Sequence, residues 1–394
     1  MRLAVLSSHP IQYYGPLFRQ LATRLDLHVY FAHAVSPSEQ GQAGFGQPFS
    51  WDVDLLSGYQ HSFLRNIATA PGVEHFGGCD SPEIYSNLRD GHFDALLVMG
   101  WNLKVYHQGI AASKRLRIPV FVRGDSQLGT PRSLFKRVLK KISYPRMLNL
   151  FDGIFYVGEQ SHQYYQRYGV APSRLFFSPH CVDTEWFATR ATAEERLRLR
   201  MQIGLDDGAS LALFAGKLVE FKRPMDLIAG IARARTQGLC MEALVAGDGV
   251  LRDAIIGLAN ANNVPTHMLG FCNQSRMPQA YAASDCLVLP SDGRETWGLV
   301  ANEALACGRP IIVSESCGCA LDLAKDGRVG RSYPTGDIFA LANALALTAA
   351  RAIDRKSFYE ISSRYSLSAA TEGIIAGLES TIERKASAKT WLIQ

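Results

Sequence analysis

The sequence has no apolar run of membrane-spanning length and no low-complexity tract, so neither an integral membrane protein nor a disordered scaffold is expected. Its 8 cysteines are scattered. The tightest pair is Cys317 and Cys319, and no CxxC spacing or Cys/His cluster marks a zinc site. A chain of 394 residues buries enough surface to do without disulfides, so free thiols in a reducing compartment are expected. Charge of one sign is also scarce: 41 Lys and Arg against 36 Asp and Glu leave a net +5. That suits an anionic ligand or surface but falls short of the excess of a nucleic-acid binder. No Gly-x-Gly-x-x-Gly follows the first apolar run, which disfavours a dinucleotide-dependent dehydrogenase. That run, residues 3–6, is too short for a signal peptide, and a cytoplasmic protein is the expectation.

Present instead is a regular alternation. Short apolar segments at 3–6, 28–31, 95–99, 119–122, 153–157 and 175–177 predict strands in the first half. Segments at 211–214, 243–246, 266–269, 286–289 and 310–313 do so in the second. Amphipathic stretches at 16–25, 225–234, 251–260 and 277–283 predict helices between strands. This is the pattern of parallel sheets built from right-handed βαβ units. The length argues for two domains, residues 1–185 and 186–352, with the seam at 183–195 and a leader of 205–208 into the second. A helical tail over 353–394 is placed to pack back across the seam. The polar, glycine-rich segment 36–47 reads as a mobile loop.

Four loops in the second half carry chemistry. After 211–214 come Gly216, Lys217, Lys222, Arg223 and a Pro224 suited to the first position of a helix. The three cations suit a diphosphate, although from this stretch alone a solvated basic helix cap is the favoured reading. Gly247-Asp248-Gly249 follows the next strand, Gly270-Phe271 the one after, and Glu295 through Glu303 the fourth. The last segment contains Thr296, Trp297, Gly298 and Leu299 between its two glutamates, spanning a turn and a helix start. Ligands of open α/β sheets bind at the carboxyl edge of the strands, where all four loops lie.

In this order the motifs resemble the family 4 glycosyltransferases of the GT-B fold. The Gly216-Lys217-Leu218 to Lys222 segment, the Gly247-Asp248-Gly249 turn and Gly270-Phe271 match theirs, as do Tyr281 to Asp285 and the glutamates Glu295 and Glu303 eight residues apart. The resemblance is tight over residues 205–345. It implies two Rossmann-like domains with parallel sheets facing across a cleft, and retaining transfer of a sugar from a nucleoside diphosphate to a hydroxyl. The acceptor, a carbohydrate or lipid-linked molecule, is implied to belong to cell-surface polysaccharide or glycolipid synthesis. Lys217 and Lys222 are implied to hold the diphosphate with the backbone of Thr296, Trp297, Gly298 and Leu299. Glu303 is implied to meet the ribose, Glu295 the donor sugar and Phe271 the base. No cofactor and no essential metal are implied. Two departures stand out: Lys217 where relatives often have arginine, and Arg223 where glycine is frequent. A sugar-nucleotide epimerase and a non-catalytic nucleotide-sugar binder share the fold and remain alternatives.

The first half matches less tightly. His9-Pro10-Ile11-Gln12-Tyr13 and Gly15 resemble the N-terminal loop of a bacterial subgroup, implying that His9, Gln12 and Gly15 face the acceptor. A structural capping role for His9 is the equal alternative. Asp125, after another strand, is a candidate for the acceptor hydroxyl or donor sugar; an Asp-Ser helix cap reads as well there. Asp52-Val53-Asp54 is the one lookalike of a metal-binding Asp-x-Asp, and an ordinary loop is favoured because no buried strand precedes it. Residues 132–146 are basic and amphipathic, with apolar positions on one face. They suit either a solvated helix or peripheral contact with the inner face of a membrane.

Overall fold

Two all-parallel sheets form, and their inner strands are short apolar runs buried on both faces. The structure, a computed structural model, describes residues 1–42, 44, 46–205, 209–325, 327–350 and 354–391. The boundary placed between 352 and 353, and the leader at 206–208, lie outside the described residues.

The first sheet contains β1 (Arg2–Ser7), β2 (Asp26–Phe31), β3 (Gln60–Phe63), β4 (Ala95–Val98), β5 (Val120–Gly124), β6 (Gly153–Tyr156) and β7 (Leu175–Phe177). The second contains β8 (Ser210–Ala215), β9 (Met241–Ala246), β10 (Thr266–Gly270), β11 (Cys286–Leu289), β12 (Ile311–Ser314) and β13 (Gly330–Tyr333). Their spatial orders are 3-2-1-4-5-6-7 and 10-9-8-11-12-13. Strand order therefore reverses between β1 and β4 in one sheet and between β8 and β11 in the other. At such a switch point the loops leaving neighbouring strands diverge to opposite faces and open a crevice. The crevice above β8 and β11 receives the Lys217 and Glu295 loops.

Of the strands, β3 and β13 are absent from the hydrophobic pattern. Both are polar four-residue edge strands, Gln-His-Ser-Phe and Gly-Arg-Ser-Tyr, with one or both faces open. The seam expected at 183–195 is largely helical, Thr184–Arg190 followed by Ala193–Gln202. Asp183 and Thr192 cap these helices by accepting from Trp186 and Glu195 N–H groups. The loop expected at 36–47 begins as a short helix, Pro37–Gln42, while 43 and 45 lie outside the described residues.

The tail crosses between the domains. Phe358 and Ile361 of helix Arg355–Arg364, and Tyr365 just after it, join the core that includes β8, β11 and β12. Ala370, Ile374, Ile375 and Leu378 of the following helix, Leu367–Trp391, are buried against β1, β2 and Phe155 of the first sheet. Burying those three larger aliphatic side chains contributes roughly 1.5–3 kcal/mol each, enough to make the crossing a fixed part of the architecture.

Candidate active site between the two sheets

The cleft is assembled from strand-end loops. Gly216 leaves β8 at φ 143°, and Gly247 leaves β9 so close to it that a Cβ there would lie 1.8 Å from the Gly216 carbonyl oxygen. Only glycine permits that approach, and it stacks the two loops. Lys217 and Lys222 project from the first loop. Burial, then the neighbouring Lys222, lower the Lys217 ammonium below its ordinary value, against the opposing pull of Glu74 and Glu295. Lys222 is ion-paired and hydrogen-bonded to Glu295, which also accepts from Ser291 Oγ at 3.1 Å. Arg223, by contrast, is committed to Asp226 at 2.8 Å in the next helix. Its backbone sits at φ 50°, which accounts for the glycine frequent at this position in the resembled family. The diphosphate role considered for Arg223 is therefore not supported by its placement.

The Glu295 loop has its carbonyls turned one way. Glu295 O accepts from Gly318 N–H at 3.1 Å and Trp297 O from Cys319 N–H at 3.2 Å. In a trans peptide the N–H points opposite to the carbonyl, so Thr296 and Gly298 N–H groups face the other side. Among the described residues, the N–H groups of Thr296, Trp297, Gly298 and Leu299 donate to no protein acceptor. Leaving a buried donor unpaired costs about 1–3 kcal/mol, and Trp297 and Gly298 are buried, so four together mark an anion position. Gly298 makes the turn at φ 96° and helix Val300–Ala306 follows.

Glu303 lies in that helix, 3% exposed, with both oxygens engaged: Tyr281 donates at 2.6 Å and Tyr13, from the first domain, at 2.8 Å. Burial pushes its carboxyl up to about 7 despite the two tyrosine donors. A ribose would have to share or displace the Tyr13 contact. Trp297 is a seam residue. Its indole N–H donates to Asn302 at 2.8 Å, and its ring lies 5.6 Å from His180 and 5.9 Å from Tyr365. Phe271 is covered by Phe49 of the first domain, ring centroids 4.5 Å apart.

From the first sheet, Asp125 follows β5 and accepts from Thr296 Oγ1 at 2.6 Å across the cleft. Burial raises its carboxyl, but His180, at 3.7 Å, and Thr296 outweigh that and hold it down at about 2. It stays ionised at any physiological pH. The half-exposed Asp125 lines a cavity of ≈ 290 Å³ with Tyr14, Trp101, Asn102, Ser126 and His180. Of the N-terminal candidates none lines it. His9 is hydrogen-bonded to Ser8 at 2.9 Å and lowered to about 4 by burial and His33. Gln12 is part-buried beside Tyr13, and Gly15 packs in helix Tyr14–Ala22 against the backbone of Leu55, 3.1 Å from where a Cβ would stand. Asp52 bonds Ser275 of the second domain and Asp54 caps the N–H groups of Leu56 and Ser57. Among the described residues no cluster of metal-binding side chains occurs.

Three contributors escaped sequence reasoning. Tyr13 closes the His9–Tyr13 motif, which names no partner for its hydroxyl, and His180 lies in a segment with no motif. Gln127 is fully buried two residues after Asp125, and its amide donates to Glu295 O at 2.8 Å, Gly293 O at 3.1 Å and, more distantly, Ser316 O at 3.4 Å. It clamps the carbonyl side of the loop whose N–H side is free.

Comparison with known proteins agrees with this fold. Residues 195–363 match the family model described as glycosyl transferases group 1. A D-inositol 3-phosphate glycosyltransferase of Rhodococcus erythropolis is 27% identical over 241 residues, 58% of this chain and 51% of that protein. A namesake from Rhodococcus jostii is 31% identical over 44% of this chain and 39% of its own length. The chain thus spans about half the length or less of these curated relatives. Among solved structures, HepE of Anabaena in complex with UDP superposes with TM-score 0.73 at 18% identity, covering 96% of this chain and 100% of that one. WaaG, a glycosyltransferase involved in lipopolysaccharide biosynthesis, gives TM-score 0.59 at 14% identity over 92% and 95%.

Proposed function

From a chain with the GT-B fold whose residues 195–363 match the model of the glycosyl transferases group 1 family, we propose a retaining glycosyltransferase. It moves a sugar from a nucleoside diphosphate to a hydroxyl acceptor. The observation that carries this reading is the convergence of Lys217, Lys222 and the four unpaired N–H groups of residues 296–299 opposite Asp125. Breaking a sugar–phosphate bond leaves an oxocarbenium-like carbon and a departing diphosphate. Stabilising that charge is the main electrostatic task, and fixed cations and N–H dipoles perform it without reorganisation.

In this reading the diphosphate lies across the 296–299 loop and draws Lys222 into sharing between itself and Glu295. Glu295 then bonds sugar hydroxyls, Glu303 the ribose, and the stretch at Phe271 the base. The acceptor occupies the Asp125 cavity. Attack comes from the face the diphosphate leaves, and the leaving phosphate takes the acceptor proton, so placement of both partners matters more than a strong protein base. No cofactor or essential metal takes part. The acceptor is a carbohydrate or a lipid-linked molecule of cell-surface polysaccharide or glycolipid synthesis.

The test is a thermal-shift panel of UDP, GDP, dTDP and ADP sugars with and without a chelator, followed by donor consumption with and without candidate acceptors. Stabilisation by one base, indifferent to chelator, and acceptor-dependent release of the nucleotide are expected. Acceptor-independent conversion of the donor sugar would point to an epimerase instead, and binding without turnover to a regulator.

A further inference from the structure

Helix Leu134–Leu148 differs from the other long helices in what it leaves outside. Leu134, Phe135, Val138, Leu139 and Ile142 are between 54% and 77% exposed, and Leu148 alone in the helix is buried. At about 100° per residue the five fall within an arc of roughly 140°, one continuous apolar face. At the same spacing Lys136, Arg137 and Lys141 flank that face, Arg146 falls on it one turn beyond Ile142, Lys140 lies on the opposite side, Arg132 precedes the helix, and no acid occurs between Asp125 and Asp152. Among the described residues none of these six cations is paired with a carboxylate. At the root of the helix Arg132, Ser133, Lys136, Lys140, Ser143 and Tyr144 line a cavity of ≈ 570 Å³. Lys140 there is lowered to about 8 by partial burial and by Arg132, and its ammonium stands 4.2 Å above the Tyr144 ring. The Tyr144 ring in turn packs 6.4 Å from that of Trp101, which lines the Asp125 cavity.

Five exposed apolar side chains need a cover, and the charges choose it. A second copy would bring six cations against six. A polar partner would leave the apolar arc unpaired. A surface with hydrocarbon just below a layer of negative charge satisfies both at once. Among the described residues no helix is long and apolar enough to cross a membrane, so the contact is one that lies on the surface.

We propose that helix Leu134–Leu148 is a docking face for an anionic phospholipid bilayer, with its apolar arc in the acyl boundary and headgroup phosphates held at the margin of that arc by Arg132 and Lys136, where the cavity opens. Docked this way, the Trp101–Tyr144 wall sets the Asp125 cavity beside the membrane surface, within reach of a hydroxyl on a lipid-borne acceptor. That consequence for the acceptor rests on the transfer reading; the docking face does not.

The experiment is flotation of the full chain with vesicles of phosphatidylcholine alone and with an equal part of phosphatidylglycerol. It is run on the wild type, on Leu134→Ser/Phe135→Ser and on Lys136→Glu/Lys140→Glu, with nucleoside diphosphate binding measured on each as a check of folding. Flotation only with the anionic vesicles is expected, falling ~10-fold in both variants and in about 0.5 M salt, with nucleotide binding retained. Equal flotation with both vesicles, none with either, or variants that float like wild type would overturn the proposal. So would a dimer by light scattering that the Leu134→Ser/Phe135→Ser pair dissociates. Loss of nucleotide binding in the wild type, with flotation intact, would remove the transfer reading and leave the docking face standing.

Discussion

The two sheets present their carboxyl edges to one cleft but arm them differently. At the second sheet the groups for the donor stand on the loops themselves: Lys217 and Lys222 after β8, the paired glycines after β9, the free N–H groups after β11. At the first sheet the loops reach over. Tyr13 bonds Glu303, Asp125 bonds Thr296, Gln127 holds two or three carbonyls of the opposite domain, and Phe49 covers Phe271. One domain supplies charge and dipoles, and the other holds them in place. A site divided this way is complete only when the domains are together, which ties catalysis to closure of the cleft and exclusion of water.

That division is open to attack from both sides. On the donor side, Glu295→Gln should lower turnover ~10²–10³-fold while nucleoside diphosphate affinity stays within a few-fold. Equal losses in kcat and in nucleotide affinity would mean that Glu295 acts by holding the ground state. At the seam, a Cβ on Gly158 would lie 2.2 Å from the Trp297 ring and 3.0 Å from Asp322, with extended backbone that tolerates alanine. Gly158→Ala should therefore cost about 1–3 kcal/mol by overpacking the contact between domains. An unchanged denaturation midpoint would show that the seam yields freely.

Smaller effects probe the holding side. Gln127→Leu removes the amide but keeps the volume, and about a tenfold drop in kcat at unchanged nucleotide affinity is expected. If affinity falls and kcat does not, Gln127 shapes the empty site only. The last effect shows only in the pH dependence of stability and concerns Glu303. Its carboxyl ordinarily titrates at 4.5 and is raised by burial to about 7, so the folded chain keeps a proton that the unfolded chain gives up. The stability this contributes is full below pH 4.5 and is lost as pH rises through about 7. Glu303→Gln should lack that loss, so wild type and variant should converge at low pH and part near neutrality. Asp322, raised to about 6 mainly by burial, slopes the same way in both proteins and cancels in the difference. Parallel stability profiles would contradict the burial of Glu303.

The same asymmetry explains what the sequence disclosed. The position of Lys217, Lys222, Glu295 and Glu303 at one sheet edge was legible because loops rich in glycine and charge follow apolar strands at regular spacing. The parallel sheets were legible because strands buried on both faces read as apolar runs. β3 and β13, at the sheet edges, have too few buried positions to show that pattern. Gln127, Tyr13 and Phe49 were hidden for another reason: their partners lie 168, 290 and 222 positions away, and only the packing of one domain on the other brings them close. Of the N-terminal motif residues, Gly15 reads from the structure as a packing glycine against Leu55, a role that depends on a loop forty residues on.

The measurement that bears most directly on the account is calorimetric titration of nucleoside diphosphates into the wild type and Lys217→Met/Lys222→Met, both in excess chelator. Fixed cations and unpaired N–H groups predict binding of at least one diphosphate by the wild type without metal, weakened ~100-fold or more in the double variant. Binding that appears only on adding a divalent cation, or that survives the double substitution, would contradict it.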